Sequence, residues 1–306
     1  MNIRDLEYLV AVADLKHFSK AAERCNVSQP TLSSQLKKLE TFLGVQLMER
    51  NNRRVLLTPT GEEIVARARI LLQEAEGIKE LARASSNPMS GKLELGLIPT
   101  LAPYLLPLIS RPIHDRFPEM QLLLHEQQTA VLVQQLKNGE LDAAVMAVPV
   151  DDADVLDDIR LFDEPFYLAV PAEHPLARLK HIGMQDLQGE QVLLLEEGHC
   201  LRGQALDLCT RAGAGELAGF RATSLETLRH MIAARAGITL IPALAVERHL
   251  GKGSGSIVYI PFEEPAPTRT IAIMFRNTTS KRVCFANLAR VIREMWKSTH
   301  NNQEIQ

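Results

Sequence analysis

Ser28-Gln29-Pro30-Thr31-Leu32-Ser33-Ser34-Gln35-Leu36-Lys37-Lys38-Leu39-Glu40-Thr41-Phe42-Leu43 has the pattern of a helix with two unlike faces. Ser28 is a good N-cap, and Pro30 is tolerated in a first turn, where an N–H has no intrahelical partner to lose. Leu32, Leu36, Leu39 and Leu43 return to one apolar stripe. At about 100° per residue, Pro30, Ser34, Lys37 and Thr41 fall opposite that stripe, flanked by Ser33 and Lys38. The outward face is therefore short, polar and basic, which suits a DNA groove. The same pattern also fits an ordinary solvated face in a small helical bundle.

The flanking residues favour the groove. Upstream, Leu6, Leu9, Val10 and Ala13 are spaced for a first helix, and residues 19–25 for a second, with Ala21 and Ala22 small enough for close packing. Asn26-Val27 makes the turn into the helix at 29–43, giving a helix-turn-helix with that third segment as recognition helix. Downstream, residues 44–58 read as a hairpin turning at Asn51-Asn52 with Arg50, Arg53 and Arg54 around its tip, a wing for phosphates or a minor groove. Ser28, Gln29, Pro30, Thr31, Ser33 and Ser34 are then expected near base edges or backbone, and Lys37, Lys38 and the three wing arginines on phosphates. The charge distribution agrees. Residues 1–60 carry nine Lys/Arg against six Asp/Glu, while residues 61–306 carry 25 against 31. A net charge of -3 thus hides a basic head on an acidic body.

Beyond the wing, Thr58-Pro59 places proline just inside a new helix, and Thr60 with Glu63 offers an alternative capping-box start. Ile64, Ala68, Leu71, Ala75, Ile78 and Ala82 follow a heptad spacing. A helix from 59 to 84 is about 39 Å long and suited to pairing with its copy, so a dimer is expected, or a tetramer if the body also associates. Residues 85–91 read as a hinge-like linker. The remainder alternates strands and helices. Strands are expected near Leu93, Leu122, Ala143, Phe166, Val192, Phe220, Ile238, Ile257 and Thr270, and helices at 104–117, 130–137, after Cys200, at 225–236 and at 283–296. The fold class is α/β carrying a helix-rich winged head. The domains are residues 1–58 (DNA binding), 59–87 (linker helix) and 88–306 (regulatory). The last divides into two α/β subdomains, 91–161 with 269–298 and 162–268, with a ligand cleft between them.

With 46% hydrophobic and 23% charged residues the chain has ordinary globular composition. Its apolar stretches are short or broken by proline, so a cytoplasmic protein with no membrane contact is expected. Four cysteines are too few for a disulfide framework, and none has zinc spacing. Residues 251–255, Gly-Lys-Gly-Ser-Gly, lack the strand and helix context of a phosphate loop. No metal and no cofactor are expected.

One stretch carries distinctive chemistry: Gly198-His199-Cys200-Leu201-Arg202-Gly203-Gln204-Ala205-Leu206-Asp207-Leu208-Cys209. Ala205, Leu206 and Leu208 favour helix, and nine helical steps separate the two sulfurs by about half a turn and about 13 Å along the axis. Bridged cysteines need α-carbons within roughly 7 Å, so the two could pair only if the helix between them unwound. His199, Arg202 and a helix starting near Leu201 all suit a negatively charged sulfur at Cys200. Two inert buried cysteines on a core helix are the other reading. Cys25 and Cys284, on expected helices among apolar neighbours, read as structural.

The head resembles that of LysR-type transcriptional regulators, at residues 6–13, His17-Phe18-Ser19-Lys20-Ala21-Ala22, Val27-Ser28-Gln29-Pro30-Thr31-Leu32-Ser33 and Leu39-Glu40. In the body, Gly96-Leu97-Ile98-Pro99-Thr100, Leu161-Phe162-Asp163-Glu164-Pro165, Gly198-His199-Cys200-Leu201-Arg202 and Phe220-Arg221-Ala222-Thr223-Ser224-Leu225 are similar to the peroxide-sensing members of that family. The resemblance implies two subdomains like those of periplasmic binding proteins. It also implies a peroxidatic Cys200, a resolving Cys209, and a peroxide surrounded by Thr100, Thr129, His199 and Arg269. Threonine hydroxyls can donate and accept, His199 can pass a proton, and Arg269 can stabilise developing negative charge. Promoter DNA, RNA polymerase, hydrogen peroxide and a cellular thiol reductant are the implied partners. One departure is Gly203, where those proteins often have aspartate; it removes a charge and adds backbone freedom three residues after Cys200. Two other functions compete: a LysR-type sensor of a small organic effector, and a thiol peroxidase.

Overall fold

The computed structural model describes residues 1–51, 54–84, 87–247 and 256–301. Arg53, Ser85-Ser86 and the loop at 251–255 lie outside the described residues, as do the side chains of Arg50, Arg54 and Ala82. The chain forms two compact units, residues 1–87 with 137–140 and residues 88–136 with 141–306.

The first unit begins with α1 (Ile3–Leu15), α2 (Phe18–Arg24) and α3 (Gln29–Leu43). Asn2 and Asp5 form a capping box on α1. Asn26 enters the left-handed region at φ 52°, turning the chain between α2 and α3. Ser28 caps α3 as expected, its Oγ accepting from Thr31 N at 3.3 Å, and Gly44 ends the helix at φ 70°. Leu32, Leu36 and Leu39 are buried against Leu9, Val12 and the small Ala21 and Ala22, while Leu43 is half-buried at the margin.

The wing is the hairpin β1 (Met48–Asn51) and β2 (Arg54–Leu57), antiparallel, with Asn51 opposite Arg54. Asn51, expected in the turn, is the last residue of β1, and Asn52 lies outside the described residues. The Glu40 carboxylate accepts from Leu47 N at 3.0 Å, fastening the end of α3 to the wing.

α4 (Pro59–Ala84) starts at the first of its two possible caps: Thr58 Oγ1 accepts from Gly61 N at 3.0 Å. A Cβ on Gly61 would stand 2.0 Å from the Leu47 carbonyl oxygen, so only glycine allows the helix to approach this closely. The heptad reading needs correction here. Ala68 is buried in the head's own core together with Val65, and Ile64 packs against it, so the first seam positions are not free for a partner. Leu71 and Ile78 are 53% and 70% exposed.

The second unit contains a sheet in the order β10-β6-β11-β5-β3-β4, with β9 also paired to β6, and a separate parallel pair, β7-β8. β3 (Gly91–Leu97), β4 (Met120–Glu126) and β5 (Ala143–Val148) alternate with α5 (Ala102–Arg116) and α6 (Thr129–Lys137). β5 is an almost unbroken apolar run because it lies between β3 and β11 with both faces covered. Met89, expected in a free linker, is buried in this core.

The largest departure from the sequence reading is β6 (Leu156–Pro171). It is one 16-residue strand, where only its second half was expected. Residues 156–165 pair with β11 (Thr268–Arg276), and residues 166–171 pair with β9 (Thr239–Pro242) and β10 (Ile257–Pro261). Asp157, Asp158 and Arg160 break the apolar pattern of the first half, and the ladder with β11 imposes the extended chain. The second unit also holds β7 (Gln191–Leu195), α7 (Cys200–Ala212), β8 (Gly215–Ala222), α8 (Leu225–Ala233) and α9 (Ala243–Glu247). α10 (Arg282–Asn301) packs back on β6, with Trp296 stacked on Phe162 at 4.0 Å between ring centres.

Candidate functional site

Adjacent parallel strands bring two of the expected residues to one edge. Leu97 of β3 lies beside Glu126 of β4, and Thr100 and Thr129 each follow three residues later, at the entries of α5 and α6. The β7–α7 loop approaches the second of these. Gly198 holds φ +96°, a backbone conformation that favours glycine, and it lies against the Gln128 side chain, so the loop carrying His199 and Cys200 runs beside the residue before Thr129. This is the usual place for a site in an open α/β sheet, at the carboxyl ends of parallel strands.

Cys200 is the first residue of α7, one position earlier than expected, and is half-buried against the core. His199 occupies the N-cap position with its ring buried, Nε2 lying 4.0 Å from Glu196 Oε1. Cys209 lies on the same helix at 1% exposure, and burial pushes its thiol up to about 11. None of the four cysteines is in a disulfide; Cys25 is half-buried at the end of α2 and Cys284 is buried in α10. With α7 intact the two thiols are separated by about 13 Å of helix axis, beyond disulfide reach.

Arg202 does not present a free charge to Cys200, contrary to expectation. Its Nη1 donates to Glu216 Oε1 at 2.9 Å and its Nη2 to Glu216 Oε2 at 2.8 Å, a bidentate fork, while Nη1 also reaches the Leu195 carbonyl at 3.2 Å. The first turn of α7 is thereby pinned to β7 and β8.

Arg269 and Thr100 are in direct contact. Arg269 Nη1 donates to Thr100 Oγ1 at 2.9 Å and Nη2 to the Thr100 carbonyl at 3.2 Å. The cation is also not bare. Glu164 Oε2 accepts from Arg269 Nε at 2.8 Å, and the two residues are 0% and 2% exposed, so the charge is balanced inside the protein. Glu164 was missed by sequence reasoning because its partner is distant in the chain. Thr129 Oγ1 is buried with no hydrogen-bond partner.

Beside these residues opens a cleft of about 380 Å³, lined by Pro99, Tyr104 and Gln128 on one side and by Glu196, His199 and Glu226 on the other. His199 lines it; Thr100, Thr129 and Cys200 do not. Tyr104 donates to Glu226 Oε1 at 2.9 Å, Arg229 pairs with the same carboxylate, and burial pushes the Tyr104 hydroxyl well above its ordinary range.

The second candidate surface is the outer face of α3. Gln29, Pro30, Thr31, Ser34, Lys37 and Lys38 are exposed, and Ser33 is half-buried. Two of the expected contact groups are partly occupied. Ser28 caps the helix and bonds Thr31 Oγ1 at 2.7 Å, and Gln29 Oε1 accepts from Ser19 Oγ at 2.8 Å, leaving the Gln29 amide N–H groups as its outward donors. Phe42, unremarked in the sequence reading, is 66% exposed and borders a shallow groove with Ser34, Lys37, Lys38 and Thr41.

A basic helix-turn-helix joined to a two-part α/β body with a cysteine at a helix entry has known counterparts. Residues 3–62 match the bacterial regulatory helix-turn-helix proteins of the lysR family, and residues 86–297 match the LysR substrate binding domain. The chain belongs to the LysR family of bacterial transcriptional regulators. It is 50% identical over 294 residues to a hydrogen peroxide-inducible genes activator of Pectobacterium carotovorum subsp. carotovorum, with 96% of each chain covered. It is 49% identical over 293 residues to the DNA-binding transcriptional dual regulator OxyR of Escherichia coli (strain K12), covering 96% of this chain and 95% of that one. A full-length cysteine-to-aspartate variant of OxyR from Pseudomonas aeruginosa superposes with a TM-score of 0.81 at 41% identity, covering 96% and 95%. The oxidized form of OxyR superposes at 0.63 with 46% identity over 70% of this chain and 99% of that one. Within the family the chain is of the OxyR type, a DNA-binding transcriptional regulator.

Proposed function

We propose that Cys200 is the sulfur oxidised by hydrogen peroxide and that Cys209 is its resolving partner. The observation that carries this reading is their placement: a half-buried thiol in the first turn of α7 and a fully buried one nine residues on, out of bridging range while the helix is intact. Cys200 thiolate attacks one peroxide oxygen. The S–O bond forms as O–O breaks, giving a sulfenic acid, and the departing hydroxide takes up a proton to leave as water. After α7 opens, the Cys209 sulfur attacks the sulfenic sulfur, the disulfide forms, and a second water leaves. A cellular thiol reductant returns the electrons. Thr100, Thr129, His199 and Arg269 surround the peroxide in this reading, supported by the Arg269–Thr100 bonds and the orphaned Thr129 hydroxyl.

Residues 1–58 bind promoter DNA, with Ser28, Gln29, Pro30, Thr31, Ser33 and Ser34 near bases and Lys37, Lys38, Arg50, Arg53 and Arg54 on phosphates. Residues 59–87 pair two copies, and residues 88–306 sense peroxide in the cytoplasm and pass the signal to RNA polymerase, as a homodimer or homotetramer. The deciding experiment is a promoter footprint with and without peroxide for the wild type and Cys200→Ser. The variant is expected to keep the reduced footprint under both conditions. A footprint in Cys200→Ser that still changes with peroxide would overturn the assignment.

A further inference from the structure

We propose that Glu164 is a positioning residue for the reaction at Cys200, acting through Arg269 on Thr100; this rests on the reading of Cys200 as the oxidised sulfur. Glu164 lies in β6, Arg269 in β11 and Thr100 at the entry of α5, and they form one buried chain of hydrogen bonds. The Glu164 carboxylate takes Arg269 Nε at 2.8 Å, which fixes the plane of the guanidinium. Fixed in that plane, Nη1 and Nη2 both fall on Thr100, at 2.9 Å from its hydroxyl and 3.2 Å from its carbonyl. The second Glu164 oxygen accepts from Leu244 N at 2.9 Å, so the carboxylate is itself held from two sides.

The consequence is a defined role for the Thr100 hydroxyl. A threonine hydroxyl has one proton and two lone pairs. With a cationic N–H on one lone pair, the oxygen is an occupied acceptor and its O–H is polarised outward as a donor. A peroxide oxygen that leaves as hydroxide needs such a donor as negative charge develops on it. A buried ion pair is a poor stabiliser compared with an apolar replacement, so its presence at 0% and 2% exposure is better explained by the direction it imposes. Without Glu164 the guanidinium loses its fixed plane, and Thr100 becomes free to turn its proton elsewhere.

The test measures, on the full chain, the rate of Cys200 oxidation by hydrogen peroxide and the rate of its alkylation by iodoacetamide, which needs no donor to a departing oxygen. Thr100→Val and Glu164→Gln are each expected to lower the peroxide rate by about tenfold or more while leaving alkylation within about twofold. Glu164→Gln is expected to add nothing in the Thr100→Val background. Glu164→Asp, which keeps the charge, should recover part of the rate, and it carries the same cycle with Thr100→Val if Glu164→Gln does not fold. A Glu164 variant that is folded and oxidised at the wild-type rate overturns the proposal, as does an equal loss in both reactions or a full additive loss on Thr100→Val. If Thr100→Val itself reacts normally, the peroxide site as a whole is misplaced, which is a different failure.

Discussion

Arg202 and Glu216 form a two-pronged clamp, Nη1 to Oε1 at 2.9 Å and Nη2 to Oε2 at 2.8 Å, that ties the first turn of α7 to β8 two residues beyond Cys200. Any opening of α7 at its start must break it. The pair is partly solvated, so its worth is roughly 1 kcal/mol. Glu216→Ala is expected to speed formation of the Cys200–Cys209 crosslink after a peroxide pulse by about fivefold, read by quenching and peptide mass spectrometry. The hydrogen bonds from Arg202 hold the Glu216 carboxyl below its ordinary value. The clamp is therefore fully formed above the usual carboxylate range, and is lost only as pH falls through that lowered value. Between about pH 5 and 8 the crosslinking advantage of Glu216→Ala is expected to stay constant; an advantage that vanishes in that window excludes the clamp as its cause.

Cys209 gives a pH dependence at the other end. Burial raises its thiol from 9.0 to about 11, so the folded helix keeps it neutral while an opened chain lets it ionise. The stabilisation is complete below the ordinary thiol value and is lost as pH climbs from 9.0 to about 11, amounting to roughly 3 kcal/mol at most. Thermal melting of the reduced protein should fall more steeply over that range in the wild type than in Cys209→Ser. Parallel curves would show that the buried thiol does not couple to opening.

Gly203 sits inside α7, exposed, with open space where a Cβ would go. Alanine there is expected to stabilise the closed helix by about 1 kcal/mol. Sulfenic acid formation at Cys200 should be unchanged while disulfide formation slows by about fivefold, so the two steps separate in a stopped reaction. Equal rates of disulfide formation in Gly203→Ala and wild type count against opening of α7 as the step that limits the switch.

Lys37 and Lys38 are exposed on the outer face of α3. Replacing both with alanine is expected to weaken DNA binding on all sequences alike and to lower the slope of log affinity against log salt by about 2. Titration at several salt concentrations reads both quantities; an unchanged slope would move the phosphate contacts elsewhere.

The exposed Leu71 and Ile78 of α4 are where a partner helix is expected, not the whole heptad seam. Leu71→Lys with Ile78→Lys should split the pair in sedimentation and weaken DNA binding without lowering the stability of the head, whose own core holds Val65 and Ala68. An intact assembly would remove α4 as the interface.

The head was legible almost residue by residue because its structure is local. A cap at Ser28, leucines in helical register and a turn at Asn26 are all decided within a few residues, and each stands where the spacing puts it. Alternation in the body likewise gave its α/β class, and the nine-residue spacing on α7 gave the separation of the two thiols. Tertiary structure alone decided the rest, because it depends on partners far apart in the chain. The first half of β6 is a strand only because β11, more than a hundred residues later, supplies its ladder. Ile64 and Ala68 fit a seam by spacing, yet they turn inward because α1 offers apolar surface there. Arg202 and Arg269 looked like free positive charges near a sulfur and a peroxide, and each proved balanced by a glutamate, Glu216 and Glu164 respectively, that sequence distance hid. Charge type is written in the sequence, but whether a charge is available is set by what the fold buries beside it, since desolvation selects for paired groups.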